Sequence, residues 1–84
     1  MKFSNGEILF YINPFVFTIE KVLVNYAVQD ENNSEIIYYI TEEGAWLNEF
    51  DLTKTIEEAK KKAFQYLENF NKKKIQEIYF YKDQ

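Results

Sequence analysis

The chain has 84 residues with ten basic and fourteen acidic side chains, a formal net charge of −4 at pH 7. It contains no Cys and no His, and every basic residue is Lys. These absences exclude disulfides, the usual zinc sites, most nucleophile–base pairs and the bidentate Arg fork used on phosphate and guanine.

A chain this short forms one small domain, expected over residues 1–84, at a size where a single core is only just sufficient. Aromatic residues compensate: eight Phe, seven Tyr and one Trp make up 19% of the sequence, and each ring can bury roughly 150–250 Å². Mild acidity disfavours general nucleic-acid binding. The N-terminal MKFSNGEILFYI has neither the long apolar run nor the small-residue cleavage site of a secretory signal. No apolar run approaches the ~20 residues of a membrane span. The expectation is a soluble, cytoplasmic protein without membrane attachment.

In chain order, a lead-in ends at Gly6, and Glu7–Ile12 is rich in strand formers. Asn13-Pro14 interrupts it. Phe15–Val28 reads as a longer strand whose apolar residues change phase. Phe15, Phe17 and Ile19 sit at odd positions, while Val22, Val24, Tyr26 and Val28 sit at even ones. The switch near Glu20-Lys21 calls for a bulge, bend or break, and Phe17 and Tyr26 are read as core. Gln29–Ser34 is polar and reads as a hairpin tip. Glu35–Thr41 is a strand with large residues on both faces, Ile36, Tyr38 and Ile40 on one, Ile37 and Tyr39 on the other. Glu42-Glu43-Gly44 is a turn, and Ala45–Asn48 is a short strand bearing Trp46. Asn48–Lys54 reads as a link in which Phe50 and Leu52 anchor to the core.

From Thr55 the period becomes helical. Thr55 with Glu58 forms a capping box, and Glu57 and Glu58 suit the positive end of the helix dipole. Ile56, Ala59, Ala63, Tyr66, Leu67 and Phe70 then recur on one face, which should seal the sheet. Phe64, Leu67, Asn71, Ile75 and Ile78 mark a second stripe. It favours a helix over about 56–78, against a stop at Asn71 followed by a strand over 75–81. The architecture expected is α+β: a small bent antiparallel sheet or SH3-like barrel of four or five strands (about 7–48) with one C-terminal helix.

The order of short strand, hairpin, EIIYYI and AWLNEFDLTKTIEEAKKKA resembles small, mostly uncharacterised proteins of phages and low-GC Gram-positive bacteria, SH3-like barrels followed by a helix. The junction Asn48–Ala63 carries the resemblance, which spans nearly the whole chain. It implies no catalytic residues, and an accessory protein of a mobile element that binds and inhibits a host protein, defence components such as CRISPR effectors included.

Candidate sites follow from the same residues. Glu42, Glu43, Glu49 and Asp51 flank Trp46, but catalytic carboxylates need a cleft that so small a barrel hardly offers. No enzyme activity, metal or cofactor is expected. Tyr38, Tyr39 and Trp46 are the best recognition residues, because Tyr and Trp concentrate at interface hot spots. With Glu42, Glu43, Ile75 and Ile78 they form the candidate partner-binding set, the partner being a host protein or a second copy in a homodimer. The alternative is a nucleic-acid interface of Lys60, Lys61, Lys62, Lys72, Lys73 and Lys74. Against it, these lysines can simply keep the outer helix face soluble, aided by Glu57–Lys61 and Glu58–Lys62 at i,i+4 spacing. A homo-oligomeric structural protein is the third reading.

Overall fold

The computed structural model describes residues 2–82, with side chains of the C-terminal helix described as far as Lys74. It contains strands β1 (Ile8–Ile12), β2 (Ile19–Gln29), β3 (Ile37–Thr41) and β4 (Trp46–Asn48), a 3-10 turn over Glu49–Asp51, strand β5 (Leu52–Thr53) and helix α1 (Ile56–Lys82). All pairings are antiparallel in one five-stranded sheet of order β4-β3-β2-β1-β5. The class is therefore α+β, with five strands and one C-terminal helix.

β2 is the shared element. Its first half, Ile19–Leu23, pairs with β1, and its second half, Val24–Gln29, pairs with β3. The register slips between Val24 and Tyr26, so the expected change of face occurs at Asn25 rather than at Glu20-Lys21. The reason lies upstream. Phe15 and Phe17 are not strand residues, so their odd positions carried no strand phase. Asn13 Oδ1 accepts the backbone N–H groups of Phe15 (2.9 Å) and Val16 (3.2 Å), while the Phe17 N–H donates to the Asn13 carbonyl at 2.8 Å. The result is a single capped turn that closes on Phe17 at φ 64, a left-handed conformation costly for a residue with a Cβ.

The polar tip Gln29–Ser34 turns as expected. Asp30 Oδ1 accepts from Asn32 (2.8 Å) and Asn33 (3.1 Å), and the Asp30 N–H donates to the Ile36 carbonyl at 2.9 Å. At the β3–β4 turn Gly44 has φ 89, a conformation glycine reaches without steric cost. The segment Asn48–Lys54 is more structured than a link. The Asn48 side chain caps the 3-10 turn through the Phe50 N–H at 2.9 Å, and β5 then pairs with β1.

Leu9, Val24, Tyr39, Leu47 and Leu52 form the buried core cluster, with Phe3, Tyr11, Val22, Ala27 and Ile37 packed around it. Leu52 anchors as expected, but Phe50 is exposed. Helix α1 lies against β1, β5 and β2. Its cap is the Glu58 N–H to Thr55 Oγ1 bond at 3.2 Å. Ala59 is fully buried, and Ile56, Ala63 and Tyr66 are half-buried, whereas Leu67 and Phe70 are exposed. The sealing face thus ends at Tyr66, short of the expected Phe70. Twenty-seven helical residues span about 40 Å at 1.5 Å each, roughly twice a five-residue strand. The helix therefore outruns β1, a strand it lies against. It continues through the interval 75–81, so no sixth strand forms there. Among the described residues, no helix is long and apolar enough to cross a membrane.

Candidate functional site, an aromatic outer face of the sheet

Antiparallel register decides which side chains share a face. Ala27, Tyr39 and Leu47 stand opposite one another across β2, β3 and β4, and this row belongs to the core. The next rows, Tyr26–Ile40–Trp46 and Val28–Tyr38–Asn48, point the other way because side chains alternate. On that outer face Trp46 is 61% exposed and Tyr26 50% exposed, while Ile40 among them is 6% exposed. The Tyr38 and Trp46 rings meet at 5.9 Å with a 55° tilt, within the range of favourable aromatic pairs. Three rings therefore roof one buried isoleucine.

Of the sequence-derived candidates, this brings together Tyr38 and Trp46 and adds Tyr26. Tyr26, expected in the core because so small a domain needs its rings, is turned outward by the slip at Asn25. Tyr39 leaves the candidate surface. It is fully buried, and its hydroxyl donates to Glu49 Oε2 at 2.8 Å while accepting the Phe3 N–H at 3.0 Å. Glu42 and Glu43 are exposed in the β3–β4 turn, where they line a separate hollow of about 370 Å³ with Glu20, Lys21 and Leu47. Neither Tyr38 nor Trp46 lines that hollow. Ile75 and Ile78 lie outside the described side chains.

The four carboxylates around Trp46 are also dispersed. Glu49 holds Tyr39 and the Lys2 N–H (3.0 Å), and Asp51 accepts the Tyr66 hydroxyl at 2.6 Å. Burial first, and then the Asp51 hydrogen bond, push the Tyr66 phenol well above its ordinary pKa of 10.0. Among the described residues, no group of three or more acidic side chains is placed to hold a metal ion.

The Lys60–Lys62 triplet is not uniformly exposed. Lys60 and Lys61 are exposed, but Lys62 is half-buried. Instead of reaching Glu58, the Lys62 ammonium donates to the Phe50 carbonyl and sits 4.2 Å above the Phe50 ring. That ring stacks on Tyr66 at 6.4 Å and 12°. Lys74 lies over Phe70 at 5.6 Å. Comparison of the chain with protein-family models, with curated proteins and with solved structures finds no match.

Proposed function

We propose that the chain is a non-enzymatic protein-binding module whose contact face is the Tyr26–Tyr38–Trp46 side of the sheet. The supporting observation is the 61% exposure of the only Trp, held by Tyr38 over a buried Ile40. Among the described residues, helix α1 makes its main contacts with β1, β5 and β2 rather than with β3 or β4. Rigid aromatic side chains with a polar handle gain much area on binding at small entropic cost, which is why they dominate interface hot spots. Single-stranded nucleic acid also stacks on such faces, but there the rings are accompanied by a cationic groove. Seven of the ten lysines of this chain lie instead on α1. In a mobile element, such a module would act by occupying a working surface of a host protein; the resemblance at Asn48–Ala63 favours that setting.

The test is affinity capture from host lysate with the wild-type chain, Trp46→Ala and Phe15→Ala, each first shown to be folded by circular dichroism. Phe15 is 85% exposed at the β1–β2 turn, away from the face. A partner retained by wild type and Phe15→Ala but lost by Trp46→Ala supports the reading. No partner, or equal retention by all three, rejects it. A solution mass at a multiple of 10.2 kDa that Trp46→Ala returns to the monomer would identify the partner as a second copy.

A further inference from the structure

Where α1 begins, the N-terminal segment and β5 leave an open cleft of about 370 Å³, lined by Lys2, Phe3, Leu52, Thr53, Lys54, Glu58, Lys61, Lys62 and Gln65. Four of the chain's ten lysines border it, against one carboxylate, Glu58. In a protein of net charge −4 this is a local reversal of sign, and focused charge of one sign in a concavity attracts a counter-ion. Part of the charge is already engaged. Lys54 lies 3.8 Å from Glu7, and Lys62 serves the Phe50 carbonyl. Lys2 and Lys61 remain. Among the described residues, neither ammonium group makes an ion pair or hydrogen bond. The Lys2 charge also acts on Lys62, adding to burial in lowering the Lys62 pKa below 10.5, while Asp51 opposes it.

We infer that this cleft binds a small phosphate-bearing ligand, its anionic oxygens held by Lys2 and Lys61 with Lys54 and Lys62 behind them. Phosphate fits the chemistry because several oxygens are needed to satisfy the Lys2 ammonium of the N-terminal segment and the Lys61 ammonium of α1 at once. Lysine serves here as a point charge in the absence of the arginine fork. The Gln65 amide lies on the wall, and Phe3 and Leu52 supply an apolar floor for the rest of the ligand. The volume lies at the small end of ligand pockets, roughly 300–1,000 Å³, which suits a nucleotide-sized molecule rather than a polymer. This site is independent of the aromatic face.

The experiment titrates inorganic pyrophosphate into the full chain, followed by amide chemical shifts, with sodium chloride at matched ionic strength as reference. Lys61→Gln tests the cleft, and Lys60→Gln, one residue away and not lining it, is the control. The expected result is saturable shifts at Lys2, Phe3, Thr53, Lys54 and Gln65. Affinity should fall about tenfold in Lys61→Gln, the loss of one charge-assisted hydrogen bond, and stay unchanged in Lys60→Gln. Equal shifts with chloride, or equal loss in both variants, overturn the assignment. A parallel arm uses a single-stranded oligonucleotide. Binding weakened as much by Lys72→Gln as by Lys61→Gln also overturns it, because the polymer would then be reading the helix and not the cleft.

Discussion

The Tyr39 hydroxyl and Glu49 Oε2 are 2.8 Å apart, and this bond ties β3 to the 3-10 turn from inside the core. The same two groups receive the chain's N-terminus, since the Phe3 N–H donates to the Tyr39 oxygen at 3.0 Å and the Lys2 N–H to Glu49 at 3.0 Å. The Phe3 ring meets Tyr39 edge-on at 5.5 Å. Tyr39→Phe keeps the ring but removes both bonds of the hydroxyl. The expected cost is about 1–3 kcal/mol, because the Phe3 N–H and a Glu49 oxygen lose their partner. For a chain this size that corresponds to a melting shift of at least ~4 °C. Thermal unfolding checks it, and an unchanged midpoint would show that water replaces the hydroxyl.

This relationship also shows how far the site was legible in the sequence. Period two placed Tyr38 and Tyr39 correctly on opposite faces of β3, yet it could not decide which face was core, since both carry large residues. The decision is made by Glu49, ten residues away, and by Leu47 and Ala27 across the ladder. Likewise, the phase change expected at Glu20-Lys21 rested on Phe15 and Phe17, which are not strand residues, and the actual slip falls within the run Val22–Val28 that shares one phase in the sequence. Asn13 converts Phe15–Phe17 into a turn, so the slip falls at Asn25 and carries Tyr26 outward. The helix start was plain because capping is local chemistry, and the end of its buried face was not, because that depends on how far the sheet extends.

Alkaline pH tests the Tyr66–Asp51 contact. The Tyr66 phenol is raised above 10.0 by burial and by Asp51, and burial also raises Tyr11 and Tyr39. The unfolded chain therefore releases these protons first. Their contribution is fully present below pH 10 and is lost as pH rises through the folded-state values. Lys62 works in the opposite sense, because its lowered pKa favours the neutral amine in the fold and adds stability as pH rises towards 10.5. With three tyrosines against one lysine, stability should fall above pH 10, and the fall should be shallower in Tyr66→Phe. Denaturant midpoints across this range measure it; identical alkaline slopes would mean that Tyr66 ionises freely.

Phe17 combines a left-handed backbone with a ring contact to Phe70 at 5.7 Å, the described ring contact made by the exposed part of the helix. Two substitutions separate these contributions. Phe17→Ala loses the ring and keeps the strained conformation, whereas Phe17→Gly loses the ring and relieves the strain. Phe17→Gly should therefore be the more stable of the two by about 1 kcal/mol, read as the difference in urea midpoints at constant slope. If Phe17→Ala is equal or better, the turn has reshaped itself and φ 64 is not a constraint on the wild-type fold.

The first turn of α1 offers the last test. Thr55 Oγ1 accepts the Glu58 N–H at 3.2 Å, and the Thr55 carbonyl accepts the Ala59 N–H at 3.1 Å. Glu58 itself faces the lysine-lined cleft. Thr55→Ala removes the cap and should cost about 1 kcal/mol, while Thr55→Ser, which retains the acceptor, should cost little. Because Ala59, the fully buried residue of this turn, depends on the helix starting in register, the loss should appear in global unfolding and not as local fraying. Hydrogen exchange distinguishes the two. Faster exchange confined to Glu57–Lys60, with an unchanged global midpoint, would show that the turn opens independently of the sheet beneath it.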